Sequence, residues 1–250
     1  MSDGGPEIHG KCSLPSGPSY APDTPSSGDG SPWSASTSPL FNGRLKLQLM
    51  GFVVATVGWV LGTTSMALAE WRVWYVNSTS LLSSHLACVG VWRACIFHQG
   101  NGLDRAIGCQ GYSYFDPYVP MDIHVAQILL PLATVLGLFS KAAIIFALKN
   151  MYLSKVQKTC DASAVAGMLS IAASFCILAA VVWNQLSIQT EEGIAFPPSF
   201  NLPFKPDSQE VGGAALMAFL GSCGLFFGGL AYFSYKYPLD SRVYPTTSDT

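Results

Sequence analysis

Charge is what this chain lacks. It has 13 Lys and Arg and 15 Asp and Glu among 250 residues, 11% of the total, where a soluble domain carries about 25%. Half of the residues are hydrophobic, and mean hydropathy is +0.34. So little charge implies that lipid is most of the chain's solvent. The net charge is −2 and no basic stripe with interleaved aromatics occurs, which excludes nucleic acid as a partner. A Gly-rich phosphate loop, a nucleophile elbow and a helix bearing paired carboxylates are also missing. His85, His98 and His124 have no His or Cys at helical ligand spacing, so they read as loop histidines and not as a metal site. The sequence therefore points to no enzyme and no cofactor. No signal peptide is found either: 46 mostly polar residues precede the first apolar run, which is expected to insert as an internal signal.

Four apolar runs are present. Residues 47–69 contain no charge, and 125–148, 162–186 and 212–235 contain one between them, Lys141. At about 1.5 Å rise per residue each run reaches roughly 35 Å, enough to cross a ~30 Å hydrocarbon core. Arg44, Lys46, Lys149, Lys155, Lys158, Lys236 and Arg242 flank the runs on one side. Arg72, Arg93, Arg105 and Lys205 are spread over the two longer loops on the other. The excess places both termini and loop 149–161 in the cytosol, with loops 70–124 and 187–211 outside.

The spans carry few polar features. Gly58-x-x-x-Gly62 in the first and Gly224-x-x-x-Gly228 in the fourth are small-residue pairs of the kind that let helix backbones approach. Pro131 is expected to bend the second span near its outer end. Lys141 is expected to snorkel toward the inner headgroups, because no acid stands in any run to pair with it. Residues 1–43, rich in Pro, Ser and Gly, read as a disordered cytosolic tail.

Loop 70–124 is long enough to fold. Segments 70–76, 85–96 and 106–115 are dense in aromatic, β-branched and alternating residues and predict strands, hence an antiparallel sheet on the outer membrane face. Trp71 and Trp92 read as rings anchored at the membrane interface. Trp71, then Gly90-Val91-Trp92-Arg93-Ala94-Cys95, then Cys109 form an ordered series, with 19 residues from Trp71 to Gly90. It resembles the W…G-L-W-x-x-C…C pattern in the first extracellular loop of the claudin family. Val91 replaces the Leu, and the spacer between the cysteines is longer. A second segment, Ser199-Phe200-Asn201-Leu202-Pro203-Phe204-Lys205-Pro206 followed by Glu210-Val211-Gly212-Gly213-Ala214-Ala215-Leu216, is similar to the family's D-F-Y-N-P-x-x-P…E-L-G-A-A-L. The resemblance covers residues 44–237.

The resemblance implies a membrane α-helical fold: a left-handed four-helix transmembrane bundle carrying a small extracellular antiparallel β-sheet. It implies a Cys95–Cys109 disulfide, whose loop of about 15 residues is worth on the order of 3 kcal/mol in the chain-entropy model. It implies a fifth strand from the second outer loop and a turn between facing cells, with Phe200, Asn201, Pro203 and Pro206 as contact candidates. The expected organisation is a tail over 1–43, a tetraspan domain over 44–237 and a short cytosolic tail over 238–250. Its spans are 47–69, 125–148, 162–186 and 212–235.

Several positions depart from the family. Gln127 stands near a place where claudins carry Arg. Cys88 is an extra outer cysteine, either a buried free thiol or an intermolecular bridge. Asn77-Ser78-Thr79 is a glycosylation sequon on the outer side. The chain ends in Thr250, a poor match to the Tyr-Val terminus that PDZ scaffolds capture. The implied function is a tight-junction protein at the plasma membrane that binds itself and other claudins side by side and across cells. It would form or modify a paracellular barrier or ion path, with Arg93, Asp104 and Arg105 as the charge positions. Their slight positive excess disfavours a strong cation channel. The alternative is a four-span auxiliary subunit or trafficking partner of a channel or receptor that forms no strands.

Overall fold

Each apolar run becomes one long helix. A computed structural model describes residues 39–77, 84–98, 105–152, 156–191, 193–198 and 203–233. Within these, α1 spans Pro39–Ala67, α2 Met121–Tyr152, α3 Val156–Gln189 and α4 Gly213–Phe233. All four are long and apolar enough to cross a membrane. Three of the helices are longer than their apolar runs, α4 being the exception among the described residues: α3 has 34 residues, about 51 Å at 1.5 Å each. The expected inner loop 149–161 is thus helical on both sides of residues 153–155, which lie outside the described set. Most of the tail expected over 1–43 also lies outside it, and from Pro39 the chain is helical. The fixed φ of proline suits a first helical position. Residues 238–250 lie outside the described set too.

Between the first two helices the chain forms β1 Arg72–Asn77, β2 Ser84–Val89, β3 Arg93–His98 and β4 Arg105–Gly111, and β5 Ser208–Val211 precedes α4. They make one antiparallel sheet in the order β4-β3-β2-β1-β5. The segment expected as a single strand over 85–96 is two strands. It breaks at Gly90, whose amide donates to the Arg93 carbonyl at 2.9 Å and closes a hairpin. A side chain at Gly90 would press on Ala69 Cα at 2.6 Å and Leu68 O at 2.7 Å, so only glycine lets this turn sit on the end of α1.

The glycine pairs of the first and fourth spans meet each other. A Cβ on Gly58 would lie 2.7 Å from Gly221 O, and one on Gly224 would lie 2.9 Å from Gly58 Cα. Backbone contact at this distance is the packing that lipid favours, since apolar burial drives nothing there. On α3, Ser163, Ser170 and Ser174 share one face and donate to the carbonyls of Tyr232, Leu225 and Ser222 on α4 at 2.7–2.8 Å. Outward-facing positions remain apolar, among them Val57, Leu138, Phe146, Phe175 and Phe227. On a water-soluble surface such a belt would be a liability; against acyl chains it is the expected coat.

Two expectations about the spans are corrected. Lys141 does not snorkel: it is 7% exposed, and its Nζ is buried without a hydrogen-bond partner. It lies on the inward face of α2, one turn from Ile144 in the core and from Gly137, which abuts the Trp59 ring, so its stem points into the bundle. Nor are the helices free of acid. Because α2 starts at Met121, it carries Asp122 in its first turn.

Candidate functional site

The sheet is fixed to the bundle through residues next to the motif as well as by the motif itself. Trp71 is not an interface anchor. It is 2% exposed, packs in the upper bundle core with Val91, Ala126 and Ala214, and donates its Nε1–H to Ser65 O at 2.8 Å. Val91, where the family pattern has Leu, is buried in that same cluster. Trp92 points the other way and is 37% exposed.

Beside Trp71, Arg72 enters the junction as the first residue of β1. It forms an ion pair with Asp122 of α2, and its Nε donates to Asn184 Oδ1 of α3 at 2.7 Å. Asn184 also reaches the Trp71 carbonyl at 3.5 Å. Arg72 and Asp122 are 1% and 3% exposed. Two charges removed from water in this way are held by each other, and either one alone would be an uncompensated buried charge. Asp122 also lies at the positive N-terminal end of α2, where a carboxylate is favoured. Neither residue was a sequence candidate, since Arg72 entered only the count of charges flanking the spans. The available signal was a lone cation and a lone acid, each beside a span on the same side.

The hairpin turn is held by two further residues. Gln127 Nε2 donates to Val91 O at 2.9 Å, so the glutamine that replaces the family's Arg still ties loop to helix. Tyr112 donates its hydroxyl to Gly90 O, and its amide donates to Trp92 O at 3.0 Å. Burial raises the Tyr112 pKa well above the usual tyrosine range, with the Arg72 charge a smaller opposing influence, so the phenol stays a donor.

The segment between α3 and α4 completes the plate. β5 pairs with β1, and Gln209 Nε2 donates to Ile188 O of α3 at 3.0 Å. Phe196 packs edge-on against Trp74 at 5.7 Å. Of the contact candidates, Phe200 and Asn201 lie outside the described residues, Pro203 is half-buried, and Pro206 is buried, so its ring is closed to a partner. Between the prolines, Phe204 is 65% exposed, a projecting ring that motif matching passed over. Of the charge candidates, Arg93 is exposed and donates from Nη2 to Ala67 O at 2.7 Å. Arg105 begins β4, and Asp104 lies outside the described residues. Asn77 ends β1, and Ser78 and Thr79 of its sequon lie outside as well.

Cys95 and Cys109 are bonded across β3 and β4. Cys88 is a buried free thiol, and burial, with a smaller contribution from Glu70, pushes its pKa up to about 11.

No family model matches the chain. Among curated proteins it is similar to Claudin-1 of Rattus norvegicus, 25% identical over 206 residues that cover 80% of this chain and 90% of that protein. Claudin-3 of Canis lupus familiaris is 23% identical over 206 residues, covering 80% and 87%. Claudin-19 of Mus musculus is 25% identical over 201 residues, covering 79% and 84%. Over about four-fifths of its length, a chain that sets a disulfide-bonded five-stranded sheet on four spanning helices is thus distantly similar to claudins.

Proposed function

We propose that this protein is a structural component of tight junctions, multi-pass in the plasma membrane, which associates with itself and other claudins side by side and across cells. In this reading it forms or modifies the paracellular barrier. The observation that carries it is the plate. Strands from both outer loops share one hydrogen-bonded sheet, and the buried Arg72 fastens that sheet to two different spans, by an ion pair to Asp122 of α2 and a hydrogen bond to Asn184 of α3. A surface so fixed can present β4, β5 and Phe204 to neighbours in a constant pose, which repeated assembly requires. Loops that merely accompany a channel subunit need no such rigidity.

The charge distribution supports the plate facing outward, with both termini and residues 153–155 cytosolic. It also supports a tetraspan unit over 44–237 flanked by tails. The role is structural, with partners recognised by surface and not by catalysis. Pro203 and Phe204 form the described part of the contact turn between cells, and Arg93, Asp104 and Arg105 together give the outer face a slight positive excess.

Expression in fibroblasts that lack claudins, followed by freeze-fracture electron microscopy, tests the reading. Continuous strands where cells touch are expected. Surface expression with no strands and no enrichment at contacts would sink it in favour of an auxiliary-subunit role. In an expressing epithelial monolayer, dilution potentials should show no marked sodium preference; a strong one would defeat the charge reading alone.

A further inference from the structure

Three cysteines stand abreast in the sheet. Cys88 of β2 lies opposite Cys95 of β3, and Cys95 lies opposite Cys109 of β4. Directly opposed residues project from the same face, so the three sulfurs share one row, which continues through Val73 to Glu210. The ladder fixes the spacing. Gly90 N donates to Arg93 O, and Cys88–Cys95 is two steps along from that pair, so it too is a hydrogen-bonded pair. Such pairs have Cα atoms about 5.5 Å apart, inside the ~4.4–6.8 Å that disulfides span. Tyr112 N donates to Trp92 O three steps from Cys95–Cys109, which makes that bonded pair the closer, non-hydrogen-bonded kind, with Cα atoms 4.1 Å apart. Cys95 therefore has a sulfur neighbour on each side and is bonded to one of them.

The two neighbours differ in exposure. Cys88 is 4% exposed, whereas Cys109 is exposed on β4, an edge strand. We propose that the outer sheet holds an exchangeable cystine, in which Cys88 displaces Cys109 from Cys95 and thereby uncovers Cys109 as an edge thiol for modification by small disulfides. Cys88 first loses its proton to solvent. Its sulfur then bonds to Cys95 Sγ as the Cys95–Cys109 bond breaks, and the electron pair leaves on Cys109 Sγ, which takes up a proton. Nothing is oxidised or reduced overall. The freed Cys109 thiol, once it loses that proton to solvent again, can attack a low-molecular-weight disulfide such as oxidised glutathione, forming a mixed disulfide and expelling one small thiolate.

Environment sets the direction and the pace. An exposed thiolate is the better leaving group, which favours departure of Cys109. Attack is limited by the thiolate fraction of Cys88, which burial and Glu70 keep small. The other titratable groups near it are Tyr75 of β1, hydrogen-bonded to Glu210 of β5, and Arg93, two residues before Cys95 on the same face. The sheet thus stores the exchange at neutral pH and releases it at higher pH, by about tenfold per unit below the Cys88 value.

The test uses the full chain in cell membranes, treated with an impermeant maleimide at about pH 7 and about pH 9 and then mapped as non-reduced peptides. Labelled Cys109 and a linked Cys88–Cys95 peptide are expected together, both forming about 100-fold faster at the higher pH, and both lost in Cys88→Ser. In Cys109→Ser, where the oxidising secretory pathway removes the two electrons as it does for the native cystine, Cys88 should be found linked to Cys95. The proposal is overturned if wild type shows only Cys95–Cys109 at both pH values. It is equally overturned if Cys109 labels as fast in Cys88→Ser as in wild type, or if Cys109→Ser leaves Cys88 and Cys95 both alkylatable. That the reagent reaches Cys109 from outside rests on the proposed orientation. Label that appears only in permeabilised cells supports the exchange and refutes the orientation.

Discussion

Where α1 meets α4, backbone touches backbone, with Gly58 against Gly221 and Gly224. Where the sheet meets the bundle, a guanidinium, a carboxylate, two amides and a phenol are threaded through the contact. The difference follows from solvent. Between two helices in lipid, burying apolar surface gains nothing, so association depends on close dispersion contact and on carbonyls that accept from neighbouring serines. A sheet standing in water over a bundle has backbone groups and short strands that apolar contact cannot orient. Directional bonds set its angle, and the buried charges make one docking pose far better than the rest. The bundle is held by shape and the plate by partner identity.

The strongest way to break that contrast is to unpair the charges. Asp122→Ala should destabilise by about 3–5 kcal/mol, because Arg72 would stay buried without its counter-ion. Thermal unfolding in detergent should show the loss, with poor delivery to the cell surface. Arg72→Met combined with Asp122→Leu should recover most of the stability, since two apolar side chains of similar volume avoid the desolvation cost. If the double variant is as poor as the single one, identity at this junction is not electrostatic. A smaller loss tests shape. Gly224→Leu should cost about 1–3 kcal/mol by forcing α4 off α1, while Gly43→Ala, with open space around the glycine, should be silent.

The same contrast separates what could be read in the sequence from what could not. The spans were legible because an apolar stretch of 23 or more residues with at most one charge is long enough to cross a bilayer and too greasy to face water on any side. The Gly58 and Gly224 motifs were legible as packing surfaces, but a motif names a kind of neighbour and not which helix supplies it. Trp71 misled because a tryptophan beside a membrane boundary has the same local signature whether its ring faces headgroups or the bundle core. Gly90 appeared as a motif letter, and its reason, the contact with Ala69, needed the fold. Arg72 and Asp122 escaped because their meaning is joint: 50 positions apart in sequence, each alone resembles an ordinary surface charge. Lys141 escaped for a related reason. Distance from the span end suggested snorkelling, whereas the face of α2 on which it falls turned it inward.

Smaller effects sharpen the comparison further. Ser170→Ala removes one hydroxyl from the α3–α4 seam, and the loss should be about 0.6 kcal/mol, the scale of a single interhelical hydrogen bond in lipid. That is measurable as a shift in unfolding midpoint, but well below the Gly224 effect, because the bond is one of a row and the backbone contact remains.

The weakest effect is expected at an outer charge pair that resembles the Arg72–Asp122 pair in composition and differs in burial. Lys205 donates to Glu191 Oε2 at 2.6 Å, and both side chains are more than half exposed. The lysine holds the Glu191 carboxyl below its ordinary pKa of 4.5, first through the hydrogen bond and then through its charge. A depressed carboxylate pKa stabilises the fold above that ordinary value and ceases to do so as pH falls through the folded-state value. Water and salt screen the pair, so Lys205→Gln should leave the unfolding midpoint at neutral pH within experimental scatter. Any residual difference from wild type should shrink as pH falls below 4.5 through the depressed folded-state value, and also in concentrated salt. A large loss at neutral pH would mean that the second loop is held by identity as strongly as the buried junction, and burial would no longer explain why the two pairs differ.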